Sequence, residues 1–547
     1  LGNFRKYVTV TSAAALVLLS TALVGSASAA SPGCGAIITQ SVTLQADVGP
    51  CNTTDGLVVQ GSGLTLNLNG HRVFSTAPLP RTDGFGNPFD VVGIHLINVH
   101  NVIVTGGSTS PALSGRGATV SGFEAGVVIE GGGTNTVRNL VAKDNRGPCL
   151  NENFTTQVPA NFGDGIAMFS SINNQIQNNR VDNNGPYDGI GVVANTFLAN
   201  QPVPDQPLPT GNQITGNNVN ESNYCSAEMG VRIEGPGASK NTVKGNTIDL
   251  SDSEGIGVLA VNNINFAGAF SNPATCQNRN FPTSGVPSAT LTGNFVKTGP
   301  NTATVTLTSG TFPAGSNGAE LFNPSAPIFA PGTVNIATVT SPTTATLTGP
   351  ITASTNGVTF SLLPLCPLLP NQPANNTNVI SNNKVTRNGF NQTGAGRGTR
   401  GGIVLLSFCG YGTLNGNDNT IENNNSQFNA GNGIGVGGCS PTNVNPVGWT
   451  YNHILSNTSL NNNQNAGGRF DLFDGNANCD NNIWLNNTYR TASPPCTTVG
   501  GTIVTTPPTP MPPLPPPPPG PYAPAHRAGV ASHAGASAGF PRARYGG

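Results

Sequence analysis

Asp164 and Asp188 each stand directly before a Gly-Ile pair, Gly165-Ile166 and Gly189-Ile190, with Ile166 and Ile190 24 residues apart. If that interval is one turn of a repeat, the two carboxylates share a column and lie about 5 Å apart. Like charges that close raise one another's pKa or call for a cation between them. Either outcome serves acid/base chemistry on a sugar, or a calcium site. A separation of about 5 Å also suits the carboxyl pair of a retaining glycosidase. Arg232 falls one turn further on, where Ala167 and Gly191 hold the matching outward position. A guanidinium beside small residues is suited to a uronic-acid carboxylate. Asp164, Asp188 and Arg232 are therefore the catalytic candidates, with Glu234 and Glu254 extending the patch as substrate-binding candidates. Asp-Gly is also a favoured turn pair, so the alternative that both aspartates merely close corners stands beside the catalytic one.

What would position these groups is a repeat. Aliphatic residues at Val137, Ile176, Ile214, Val243, Ile380, Ile421, Ile454 and Ile483 each follow an asparagine by two positions, from Asn135 to Asn481. In all but the first, where Leu140 intervenes, another asparagine comes three positions later, from Asn179 to Asn486. A second motif, Gly followed by Ile or Val, interleaves at Gly126, Gly165, Gly189, Gly230, Gly255, Gly402 and Gly433, with Gly93 as an earlier instance. A unit that returns in this way stacks on copies of itself. Short alternating segments bounded by Gly and Asn read as strand and turn, and strands that run the same way in every turn must pair in parallel. The expectation is an all-β, right-handed parallel β-helix. Asparagine suits its corner columns because it tolerates left-handed backbone and because its amide can donate to one copy while accepting from the next.

The chain resembles the right-handed parallel β-helix repeat proteins of the pectate-lyase-like superfamily. The likeness lies in "GSGLTLNLNGHRVFS", "GIHLINVHNVIVTGG" and "VSGFEAGVVIEGGGTNTVRNL" near the start and in "FDLFDGNANCDNNIWLNNTY" near the end. It covers roughly residues 34–497 apart from one insertion, and it implies a fold and no single activity. The run "VRIEG" at residues 231–235 resembles the basic-Ile-basic motif of polygalacturonases. Their Asp-Asp and Gly-His-Gly elements are missing, which rejects that assignment.

Residues 1–29 read as a secretory signal peptide: Arg5 and Lys6, an apolar stretch, then Ala27-Ser28-Ala29. No membrane span is expected after its removal, and the protein is expected to be secreted, extracellular or at the cell surface. Ten cysteines in such a chain suggest disulfides. Proximity suggests Cys34–Cys51, Cys149–Cys225, Cys276–Cys366, Cys409–Cys439 and Cys479–Cys496. Net charge is −1 with only 9% charged residues, so no basic stripe for nucleic acid exists. Asp471, Asp474 and Asp480 offer either a calcium site or a cap on the last coil. Calcium is the only cofactor the residues suggest. His71, His95, His100 and His453 read as isolated packing or surface residues.

Two regions leave the repeat. Residues 34–264 and 375–497 carry the coil, whereas 265–374 are Thr/Val-rich and read as an inserted small β module, clasped by Cys276 and Cys366. Residues 498–547 read as a Pro-rich, solvated, disordered tail. The leg from a Gly-Ile strand to the next Asn motif lengthens in several coils, which expects a wall along one side. The functional expectation is a monomeric protein that binds, and processes as a lyase, hydrolase or epimerase, an extracellular polysaccharide. The competing expectation is a non-catalytic adhesion or structural rod.

Overall fold

The computed structural model describes residues 31–514 except 78–90, 108–116, 147–162, 186–187, 195–207, 222–228, 236, 252–253, 261–288, 300–301, 314–315, 317–319, 323–334, 349–352, 364–374, 391–400, 408–415, 438–448, 465–469 and 477–478. The expected signal peptide and most of the expected tail lie outside the described residues, as do Cys149, Cys225, Cys276, Cys366, Cys409 and Cys439.

From residue 36 onward the chain coils through three sheets of 12, 11 and 11 strands, here called A, B and C. Strands join each sheet in chain order, and each coil visits A, then B, then C. Every strand pair in the three sheets is parallel, as a coil wound in one direction requires. Aliphatic positions stack in register: Ile166 on Ile190 and Val231 on Ile256 in A, Ile176 on Ile214 in B, Val181 on Val219 in C. These columns form one continuous buried core from Ile38 to Tyr489. Each buried Ile, Leu or Val contributes roughly 1.5–3 kcal/mol from removal of apolar area, so stability accumulates coil by coil.

Three ladders of buried amides run beside the core. In the first, Asn212 donates from Nδ2 to Asn241 Oδ1 (3.1 Å) and to the Ser171 carbonyl (3.0 Å), while its backbone N–H donates to the same Asn241 Oδ1 (3.0 Å). The second repeats this arrangement from Asn179 to Asn487, with Leu140 at its start receiving nothing but donating its backbone N–H to Asn179 Oδ1. The third runs through Asn145, Asn184 and Glu221, and again through Asn388, Asn429, Asn462 and Asp471. Left-handed backbone falls on the residue before each ladder asparagine, such as Asn173, Lys240, Thr377 and Tyr451. The bend and the ladder are thus carried by neighbouring residues, and the ladder asparagines are selected for their amides alone. That corrects the expectation that one asparagine serves both purposes.

The last coil is displaced by one residue from the expected phase. Trp484, not Ile483, stacks on Ile454, and the ladder ends on Asn482 and Asn487 instead of Asn481 and Asn486. Trp484 is buried and Ile483 exposed, because only the tryptophan fills the end of the core.

The insertion forms a closed six-stranded antiparallel barrel between Ala289 and Leu363, with its own core around Phe295, Phe360 and Leu347. Two disulfides, Cys34–Cys51 and Cys479–Cys496, close the first and last coils. The coil also continues past residue 497. Thr502–Ile503 pairs in parallel with Thr488–Tyr489 as a further strand of sheet C. Beyond it, Arg490 donates to the carbonyls of Val504, Thr506 and Pro507, and Arg387 donates to that of Pro513. The start of the proline-rich segment is therefore bound along sheet C. A proline lacks an N–H but keeps its carbonyl, and the arginines use that carbonyl.

Candidate functional site

Sheet A carries the candidate residues on its outward face. In a strand, side chains alternate between faces; Ile190 and Val192 point into the core, so Gly191 and Val193 face outward. The alternation breaks at Gly189, whose Cβ would meet Val219 and Glu221 on the core side, and Asp188 before it faces outward beside Gly191. Three outward columns result. One column runs Asp188, Met229, Glu254. The next runs His95, Val128, Ala167, Gly191, Arg232, Gly257. The third runs Glu130, Phe169, Val193, Glu234, Leu259.

Asp164 and Asp188 are vertical neighbours, as their spacing implies. Gly165 N–H donates to the Asp188 carbonyl at 3.0 Å, which continues the Ile166–Ile190 pairing down to the aspartates. Their carboxyls converge above Gly191. A Cβ placed on Gly191 would lie 3.3 Å from both Asp164 Oδ1 and Asp188 Oδ2. Glycine here keeps open a space that a methyl group would crowd.

The two acids sit in different electrostatic settings. Asp188 Oδ1 accepts from Arg232 Nε at 2.8 Å, and Arg232 Nη1 donates to Glu234 Oε2 at 2.6 Å. Asp164 is 1% exposed, and neither carboxyl oxygen has a hydrogen-bond partner. Burial drives its pKa up to about 8, against the opposing pull of the Arg232 charge and the nearby backbone amides; Glu234 adds a smaller upward push. One acid is thus held neutral at neutral pH beside another fixed to a guanidinium.

The structure brings Asp164, Asp188, Arg232 and Glu234 together. Arg232 is, however, buried and already bonded to two of the protein's own carboxylates, so its guanidinium is not presented to a substrate carboxylate as expected. Glu254 lies two strands beyond Asp188, separated from it by Met229, and is buried.

His95 belongs to the same face and was read as isolated. It is buried, with Nδ1 3.4 Å from Asp55 Oδ2 and Nε2 3.3 Å from Glu130 Oε2. Burial disfavours its charge, but the hydrogen bonds and charges of the two acids outweigh that and raise its pKa to about 9. The sequence signal was the Gly-Ile-His order at residues 93–95, which puts His95 in the Arg232 column.

The calcium expectation at the C-terminal end gives way to capping. Asp471 accepts from Asn462, Arg490 and Thr491, and Asp474 accepts from Asn476, Asn482 and Trp484. Those acids accept from N–H donors. Burial pushes the Asp474 pKa up, and Asp480, in the short 3-10 turn Cys479–Asn481, lies close enough for its charge to add to that rise. Among the described residues no group of three or more His, Cys, Asp or Glu could hold a metal ion.

The lengthened connections expected to build a wall, among them residues 195–207, 261–288 and 438–448, lie outside the described residues. Sheets B and C are joined by two residues in coil after coil, as from Arg138 to Val141.

No family model matches the chain, and no curated protein matches it. Among solved structures it is similar to the Dettilon tailspike protein (12% identity, TM-score 0.36, 83% of this chain and 54% of that one). It is also similar to the periplasmic alginate epimerase AlgG (9%, 0.33, 78% and 68%). A third is the catalytic domain of an alpha-1,3-glucanase in complex with tetrasaccharides (13%, 0.38, 87% and 63%). The chain spans about half the length of the tailspike and about two thirds of the other two. The three stacked parallel sheets decide the fold. The chain is a parallel β-helix. No helix among the described residues of this β-helix is long and apolar enough to cross a membrane.

Proposed function

We propose that this β-helix is an exported protein that binds an extracellular polysaccharide along the outer face of sheet A, with Asp164 and Asp188 as its acid/base pair. The observation that carries the reading is the unpartnered Asp164 carboxyl, buried beside the ion-paired Asp188 above the space left by Gly191. A neutral acid next to an ionised one about one strand spacing away is the arrangement that protonates a leaving oxygen while stabilising developing positive charge. Asp164 supplies the proton, Asp188 the negative charge, and Arg232 holds Asp188 in place. The disulfides at both ends of the coil support export.

A second reading, a non-catalytic display rod, draws on one observation. Asp188, Arg232 and Glu234 are buried and bond one another, so the outer face must open before a polymer reaches them. The test is release of reducing ends and of unsaturated uronate from a glycan panel, with and without calcium, for wild type, Asp188→Ala and Asp164→Asn. The acid/base reading expects turnover to fall by about 10²–10⁴-fold in either variant. Glycan retained without turnover, and unchanged by Asp188→Ala, establishes the rod instead.

A further inference from the structure

Both positive charges in the outward columns of sheet A are already spent. The two networks share one plan. Each cation stands in the central column, His95 in one and Arg232 four strands further along. Each takes one carboxylate from the strand before it, Asp55 or Asp188, and one from the third column, Glu130 or Glu234. Between them lie Val128, Ala167, Phe169 and Val193, which are apolar and buried together. Against His95 and Arg232, the acids of these columns among the described residues are Asp55, Glu130, Asp164, Asp188, Glu234 and Glu254.

From this placement we propose that the ligand of the sheet A face is an uncharged polysaccharide and that polyuronates are excluded. The inference rests on the glycan reading above and names its substrate class. A uronate carboxylate entering the space over Gly191 would meet the carboxyls of Asp164 and Asp188 at the point where a Cβ would lie 3.3 Å from each. Arg232 Nε and Nη1 are turned to Asp188 and Glu234, which commits the guanidinium to the protein's own acids. Asp164 is neutral there, so the repulsion comes from Asp188 and Glu234, two negative charges against the single positive charge of Arg232, and burial strengthens it by lowering the local dielectric. A sugar hydroxyl meets the opposite situation. It can donate to one carboxyl oxygen and accept from a protonated one, and so supply the partner that both buried oxygens of Asp164 lack. The cluster of acids is thus read together with an unpartnered buried side chain aimed at the same space.

The experiment is affinity electrophoresis of the full chain in gels containing dextran, laminarin or galactomannan on one side and alginate or polygalacturonate on the other, at low and at physiological salt. Retardation by a neutral glycan, unchanged by salt and absent with both polyuronates, is the expected result. Retardation by alginate or polygalacturonate and not by any neutral glycan overturns the neutral-ligand inference while leaving the glycan reading standing. No retardation by any of the five overturns both. Glu234→Gln adds a check that does not depend on turnover. It releases Arg232 from one acid, and polyuronate retardation at low salt is expected to rise about threefold to tenfold. A folded Glu234→Gln protein that still ignores polyuronates would remove charge as the basis of exclusion. If that variant fails to fold, the wild-type panel alone decides.

Discussion

Replacing Asp164 by Asn is expected to stabilise the protein at high pH. In the folded coil the Asp164 carboxyl titrates near 8, against 3.8 in a solvated chain. A folded pKa raised in this way means that the folded state holds its proton more tightly than the unfolded state does. Stability from this group is therefore fully present below about pH 3.8 and is lost as pH rises through about 8. Four pKa units at about 1.36 kcal/mol each set a ceiling of about 5 kcal/mol. Water penetration and relaxation around a buried charge lower the realised figure to on the order of 2–4 kcal/mol. Asparagine keeps the shape and cannot ionise, so it escapes this loss. Urea unfolding midpoints measured at pH 4 and pH 8.5 test the reasoning. The variant should match wild type at pH 4 and exceed it at pH 8.5. What remains of its pH dependence should then include His95, whose raised pKa stabilises fully below about pH 6.5 and loses that contribution as pH rises through about 9, and Glu221, whose raised pKa acts in the same direction. A variant that is less stable than wild type at both pH values, or whose difference does not grow with pH, refutes the assignment of a neutral Asp164.

The phase of the last coil makes a second prediction. Trp484→Ala should cost about 3–5 kcal/mol by opening the end of the core and removing one of the three donors to Asp474, whereas Ile483→Ala should change stability by no more than about 0.5 kcal/mol; thermal unfolding of the two variants decides, and equal losses would contradict the register. Ending the chain after Val504 removes carbonyl partners of Arg490 and Arg387. It should lower stability by about 1–2 kcal/mol, read from the same melts, and an unchanged midpoint would show that the bound proline segment adds nothing.

Much of the fold was legible because a solenoid writes its period into the chain. The asparagines at 174, 212, 241, 378, 419 and 452 were found by spacing alone and form an unbroken hydrogen-bonded column. The third ladder escaped notice because it is chemically mixed: Glu221 replaces an amide after Asn184, and Asp471 ends the series after Asn462. Buried among amides, Glu221 has its pKa pushed well above the usual carboxylate range by burial, against the pull of its Asn184 hydrogen bonds. A protonated carboxyl offers one donor and one acceptor, as an amide does, which is how a glutamate fits the column. The phase error at Ile483 has a similar origin. Asn481, Asn482, Asn486 and Asn487 are two adjacent pairs, so spacing fits either phase, and only the core's need for the larger Trp484 chooses between them.

Of the candidate site, the sequence by itself determined which residues are neighbours. A coil of constant direction converts equal phase into vertical contact, and so Asp164 and Asp188 had to meet. Tertiary structure decided what those neighbours do to one another. Whether Arg232 faces a ligand or its own acids, whether His95 stands alone or between Asp55 and Glu130, and which aspartate keeps its proton depend on burial and on side-chain direction. Those quantities arise only when several coils and their covering surfaces exclude water together, and no local pattern of residues encodes them.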